Sequence, residues 1–105
     1  MVRGDVCAIT LPKRRGRVQH GQRYAVVVQA DELMALSTVV ICPTSQSAPP
    51  ASFHPEVAIA GEPTRVLCEM AGAVDARAIG EGVTHLTLDE LRAVEEGLEL
   101  VLDLT

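Results

Sequence analysis

"RYAVVVQADELMALSTVVICPTS", residues 23 to 45, reads as two strands and the turn that joins them. Ala25 to Val28 is an unbroken apolar run rich in β-branched valine, so both faces of that strand are expected to be covered, as in a central strand or a closed barrel. "ADELMAL" amounts to a short helical turn at most. "STVVICP", Ser37 to Pro43, resumes as strand and is expected to stop at its proline. Strands joined by so short a connection are antiparallel, which lays the start of one beside the end of the other. Arg23 opens the first and Thr44 and Ser45 follow the second, so this stretch predicts a guanidinium beside a pair of hydroxyls.

Working outward, "DVCAITL", Asp5 to Leu11, runs apolar up to Pro12 and makes an earlier strand. Lys13 to Gln22 carry Gly16 and Gly21 and few apolar anchors, the composition of a mobile surface loop. Beyond the opening stretch, "PTSQSAPPASFHPE" lacks periodicity and reads as a long loop. "EVAIA", Glu56 to Ala60, and "TRVLCEM", Thr64 to Met70, are expected to pair across the turn Gly61, Glu62, Pro63. "AGAVDARAIGEG" offers a brief strand and a turn. The C-terminus gives the plainest helix signal. Thr87 and Glu90 form the T-x-x-E of a capping box, whose cap alone contributes about 1 kcal/mol. Leu91, Val94, Leu98, Val101 and Leu102 then recur at three and four, with Glu95, Glu96 and Glu99 on the other side. Five strands closed by one helix predict a small α+β domain of barrel type spanning residues 1–105.

Charge is unevenly spread along the chain. The formal net charge is -5, yet five of the nine basic residues fall within positions 13 to 23. Residues 1–24 hold six basic side chains against one acid, and residues 25–105 hold three against thirteen. Charge gathered against the overall sign points to a ligand of the opposite sign. The acidic terminal helix cannot itself be a nucleic-acid surface. No run of about eighteen uncharged apolar residues exists and no secretory leader is visible, so the cytoplasm is the expected compartment and no membrane contact is expected. Cys7, Cys42 and Cys68 lack metal or redox spacing and sit among apolar neighbours in expected strands, the setting of buried free thiols. With His20, His54 and His85 scattered, neither a metal nor another cofactor is expected.

Three features converge on one expected rim: the basic loop ending at Arg23, the hydroxyls of Thr44 and Ser45, and the carboxylate of Glu69. An arginine offers fixed donors and a permanent charge suited to phosphate and to the charge that develops during its cleavage. Each residue also has a plainer reading. The loop can be solvated surface, Thr44 and Ser45 can be turn formers bonded to their own backbone, and Glu69 can form an ion pair with an arginine. His20 can be a solvated loop residue or a proton carrier. Tyr24 and Phe53 are the only aromatic residues and so the only platforms for base stacking; Phe53 can equally pack in the core.

Taken in order, these segments resemble the MazF/PemK toxins of bacterial type II toxin-antitoxin systems. "RGDV" at Arg3 to Val6 resembles the family opening, "RGRVQHGQR" its "RGxEQxGxR" loop, and "LSTVVICPTS" its "LSTVIVxPxTS" strand. "RVLCE" followed by "VD" and the closing "HLTLDELRAVEEGLELVLDL" resemble its later strand and its helix. The resemblance implies an SH3-like antiparallel β-barrel (CcdB/PemK-like) with a C-terminal helix and a homodimer. It also implies metal-independent, sequence-selective cleavage of single-stranded RNA, leaving 2′,3′-cyclic phosphate and 5′-hydroxyl ends. The family's catalytic arginine falls on Arg23 and its threonine on Thr44 or Ser45, with Thr44 keeping the residue type. RNA contacts are implied at Lys13, Arg14, Arg15, Arg17, Gln19, His20, Tyr24, Gln46, Phe53 and Glu69. A MazE-like antitoxin with an acidic tail is the implied protein partner. The chain departs from the family pattern at Cys7, Val18, Tyr24 and Met70 to Gly72, so base preference does not transfer. Two other readings stay open: a gyrase-binding toxin of the same fold, as in the CcdB branch, and an inactive domain that only holds an antitoxin.

Overall fold

Residues alternating along the first three strands feed two separate cores. In the computed structural model, which describes residues 1–10 and 23–104, these strands are β1 (Asp5–Ile9), β2 (Arg23–Val27) and β3 (Thr38–Ser45). Val6, Val26 and Cys42 point into one core, where they meet Val57, Val66 and Val94. Cys7, Ala25, Val27, Val39 and Ile41 point into the other. Ala25, Val26 and Val27 are fully buried, so both faces of β2 are covered as its unbroken run predicts.

The chain continues through β4 (Glu56–Ile59), β5 (Glu62–Val66), β6 (Gly72–Asp75) and β7 (Ile79–His85) to the helix α1 (Leu88–Leu102). Neighbours along the sheet run β4-β5-β3-β2-β1-β7, and β6 pairs with β3 as well. One edge of β3 faces β2. Its other edge is shared, with β6 alongside Thr38–Ile41 and β5 alongside Thr44–Ser45. From β6 the chain passes a 3₁₀ turn at Ala76–Ala78 into β7, which lies against β1 at the far side. Every described pair is antiparallel, and the sheet curls into a barrel-like wall.

The turn between β2 and β3 is short because one buried side chain closes it. Gln29 donates from Nε2 to the Leu33 carbonyl at 2.9 Å and accepts from the Val40 amide at 3.0 Å. Within it, Asp31–Leu33 make the single helical turn expected of "ADELMAL".

Four expectations are corrected. The described sheet has seven strands rather than five. β7 escaped a reading based on apolar alternation because it lies at an edge, almost wholly exposed, with Gly80 and Gly82 in its middle. β3 runs through Pro43 to Ser45, since the Pro43 carbonyl still accepts from the Leu67 amide at 2.9 Å although the proline cannot donate in return. The hairpin turn is Ala60–Gly61, with φ of 52° and 80°, the positive pair of a type I′ turn. Glu62 and Pro63 therefore belong to β5, which ends at Val66, and Cys68–Met70 form a 3₁₀ turn instead of strand.

The helix begins where its capping box places it. Thr87 Oγ1 accepts from the Glu90 amide at 3.2 Å, and Glu90 Oε1 accepts from the Thr87 amide at 2.9 Å. Glu90 Oε2 also accepts from the Ala58 amide at 2.9 Å, which fastens the helix to β4. Arg3 reaches across the molecule to Glu95 and donates to the Val28 carbonyl, so this basic residue is structural. The three cysteines are free and buried. Cys68 Sγ donates to the Val94 carbonyl at 3.8 Å, and interaction with the Cys68 thiol together with burial pushes the Cys42 thiol up. Among the described residues no helix is long and apolar enough to cross a membrane.

Candidate active site

Antiparallel register brings the predicted groups together. Ala25 lies opposite Pro43; two further steps of the same register set Tyr24 opposite Thr44 and Arg23 opposite Ser45. The Thr44 hydroxyl donates to the Tyr24 carbonyl at 2.9 Å. In the other direction, Arg23 Nη1 lies 3.4 Å from the Thr44 carbonyl. These reciprocal contacts hold the guanidinium at the root of β2 against the end of β3.

A cleft of about 380 Å³ opens at this junction. One wall is Arg23 and Tyr24 with the chain from Thr44 to Ser47; the other is the β4–β5 hairpin through Ile59, Ala60, Glu62 and Thr64. Thr44 is only 5% exposed, and it is a strand residue bonded across to β2 rather than a turn former. Ser45 is half-buried, accepts from the Ser47 amide at 3.2 Å in a local serine turn, and shares a hydroxyl–hydroxyl bond of 3.3 Å with Ser47. Gln46 is exposed on the rim. Tyr24 both lines the cleft and packs against the first core.

Two expected members stand elsewhere. Phe53 packs on the first core and meets the His54 ring edge-on, with centroids 4.6 Å apart. Glu69 does not line the cleft; its Oε2 lies 2.7 Å from His54 Nε2, so its structural partner is a histidine and not an arginine. The remaining candidates, Lys13, Arg14, Arg15, Arg17, Gln19 and His20, lie outside the described residues.

Behind the rim, His54 anchors the β3–β4 loop. Its side chain is 7% exposed, and Nδ1 lies 2.8 Å from the Pro49 carbonyl while Nε2 faces Glu69. A carbonyl and a carboxylate only accept, so both contacts are satisfied together only when both ring nitrogens carry protons, and the site favours the imidazolium. The bond to Glu69, then that to Pro49, raise the His54 pKa above its ordinary value. Arg65 Nη1 donates to the His54 carbonyl at 2.8 Å, tying the same loop to β5.

Ser47 and the hairpin residues Ile59, Ala60, Glu62 and Thr64 are the cleft residues that sequence reasoning missed, Glu62 being the charged one. The signal was strand parity, since Glu62, Thr64 and Val66 fall on one face once β5 begins at Glu62. Among the described residues no three His, Cys, Asp or Glu side chains converge on a common metal position. A guanidinium flanked by hydroxyls at the mouth of a cleft can hold a phosphate and stabilise further charge on its oxygens.

A curled antiparallel sheet closed by one terminal helix is the barrel-like α+β fold of the MazF toxins. Solved structures share it over nearly the full chain. A mycobacterial endoribonuclease in complex with its cognate antitoxin superposes with a TM-score of 0.83 at 14% identity, covering 100% of this chain and 97% of that one. MazF from Deinococcus radiodurans gives 0.81 at 21% identity, covering 98% and 96%. In sequence, the profile of the PemK-like, MazF-like toxin of type II toxin-antitoxin systems matches residues 2–102. Rv3098A of Mycobacterium tuberculosis, designated a candidate toxin, is 35% identical over 106 residues, covering 99% of each chain. The chain belongs to the PemK/MazF-like family of type II toxins.

Proposed function

We propose that this toxin is a sequence-selective endoribonuclease that cleaves single-stranded RNA without a metal ion, and that residues 1–105 act as one domain. The observation that carries the reading is the shared cleft of Arg23, Thr44 and Ser45. In the proposed reaction a ribose 2′-oxygen gives up its proton and attacks the adjacent phosphorus. The bond from phosphorus to the 5′-oxygen breaks, and the departing oxygen takes a proton. The products are a 2′,3′-cyclic phosphate and a 5′-hydroxyl. Because the nucleophile belongs to the substrate, the step requires no metal-bound water.

Arg23 stabilises the charge that builds on the non-bridging oxygens. Ser45 donates to one of them, and Thr44 does so after turning from the Tyr24 carbonyl. Tyr24 and Gln46 face the approaching strand. Lys13, Arg14, Arg15 and Arg17, with Gln19 and His20, lead directly into Arg23, and their charge suits salt-dependent contacts to the RNA backbone. Phe53 and Glu69 act from behind, by way of His54. The mycobacterial neighbours, an endoribonuclease alone and one in complex with its cognate antitoxin, support this reading. So do the MazE-MazF complexes of Deinococcus radiodurans as a guide to partners. An antitoxin with an acidic tail would compete with RNA for the basic rim, and the toxin would act in the cytoplasm as a homodimer.

Incubating the protein with total RNA in EDTA, beside Arg23→Ala, tests the proposal. Cleavage by the parent that falls by about 10² to 10³ in the variant is the expected result, the usual effect of losing one transition-state donor. Equal cleavage by both refutes the role of Arg23. Intact RNA together with trapped DNA gyrase would replace the nuclease reading with the gyrase-binding one.

A further inference from the structure

The carboxylate of Glu62 is out of place in a cleft built for phosphate. It lines the same cavity as Arg23, where a negative charge works against the RNA backbone. Among the described residues its side chain takes no hydrogen bond or ion pair, so it is not committed to holding the fold. Its backbone is nevertheless fixed. Glu62 closes the type I′ turn opposite the buried Ile59, and Thr64 Oγ1 donates to its carbonyl at 3.2 Å. Pro63 restricts the next backbone torsion. An exposed carboxylate with no protein partner among the described residues, carried on a fixed backbone at the cleft, suits a ligand group that offers donors.

Resting on the nuclease reading, we propose that Glu62 is a specificity-determining residue that reads guanine in the RNA strand crossing the cleft. Bases of single-stranded RNA can be turned out and read on their Watson–Crick edges. Guanine presents N1–H and N2–H side by side, and the two oxygens of a carboxylate match both. Adenine and cytosine each present one donor beside one acceptor, so a carboxylate satisfies half of the edge and faces a lone pair with the other half. Uracil presents one donor between two acceptors and fits worst. A cleft of about 380 Å³ falls within the range of sites for single small ligands, roughly 300–1,000 Å³. Guanine in it would face the hairpin wall while Arg23 on the opposite wall holds a phosphate.

The test compares the parent and Glu62→Gln on a pool of short single-stranded RNAs with randomised bases, sequencing the 5′-hydroxyl ends. The parent is expected to enrich guanine over uracil at least tenfold at one position near the cut. In Glu62→Gln the amide offers one donor and one acceptor, so sites with guanine there should fall at least tenfold relative to sites with adenine or cytosine. An unchanged base profile in the variant overturns the inference while leaving the nuclease reading standing. A parallel fall at every sequence with an altered pH-rate profile also overturns it, because Glu62 would then be a proton carrier rather than a reader. No cleavage by either protein removes the nuclease reading itself.

Discussion

Raising the pH should loosen the loop behind the cleft, because His54 can satisfy both its neighbours only as an imidazolium. The ring sits between the Pro49 carbonyl at 2.8 Å and Glu69 Oε2 at 2.7 Å. Neutral imidazole carries one proton, so one of these contacts would become a lone pair facing a lone pair. Hydrogen bonds to charged groups contribute about 1.5–3 kcal/mol. Glu69 is 39% exposed, which lets water compete and puts the expected loss at the low end, about 1–2 kcal/mol. The folded-state pKa is raised above the unfolded value. The contribution is therefore fully present below the unfolded pKa of about 6.5, and it is lost as pH rises through the folded value. Around the ring, Glu69 and Cys68 approach from the 3₁₀ turn after β5, and Arg65 on β5 donates to the His54 carbonyl, with Glu56 3.6 Å from that arginine. The assay is urea unfolding at pH 6 and pH 9, at one protein concentration, for the parent and His54→Gln. The glutamine can donate toward Glu69 but does not titrate. The parent should lose about 1–2 kcal/mol more than the variant between the two pH values, read as a shift in midpoint at constant slope. The same pH dependence in both proteins would refute the reasoning.

Helix and thiol packing give two further expectations. A Cβ built on the buried Gly97 of α1 meets Cys68 Sγ at 2.7 Å and the Phe53 Cα at 3.4 Å. Gly97→Ala should therefore cost about 1–3 kcal/mol in overpacking, reduced by about 1 kcal/mol of gained helix propensity. Adding Cys68→Ala should recover part of the loss, and strict additivity in the double mutant would contradict this packing. Cys7, Cys42 and Cys68 are at most 4% exposed, so an aromatic disulfide reagent should titrate none quickly in native buffer and all three in urea. Rapid labelling of the native protein would show that one of these sites opens.

What the sequence made legible was whatever rests on burial and local chemistry. The valine run of β2 identified a strand covered on both sides, and the capping box fixed the start of α1 to the residue. Strand direction followed from the length of one turn, and with it came the meeting of Arg23 with Thr44 and Ser45. What stayed hidden was structure held by backbone alone. β7 is half-buried only at Ile79 and exposed from Gly80 to His85, so it shows no apolar alternation; its partner β1 supplies the hydrogen bonds, and no side chain has to advertise them. Pro43 likewise looked like a terminator because a proline lacks one donor, yet its carbonyl still serves the adjacent strand.

The hairpin shows why the second wall of the cleft was the harder one to read. The sequence points to a turn at Gly61, Glu62 and Pro63, whereas the chain turns at Ala60–Gly61, with an alanine at a positive φ that alanine disfavours. A turn there takes Glu62 off the strand, and the carboxylate that the sequence singles out is Glu69, near the end of the strand that follows. Parity then did the rest, since side chains two apart share a face and a residue assigned to a turn has no face to share. The strain accepted at Ala60 has a positional result: it pairs Glu62 directly with Ile59, so that the two share a face and both line the cleft at the hairpin end. A backbone torsion that costs of order 1 kcal/mol thus decides which carboxylate stands opposite Arg23.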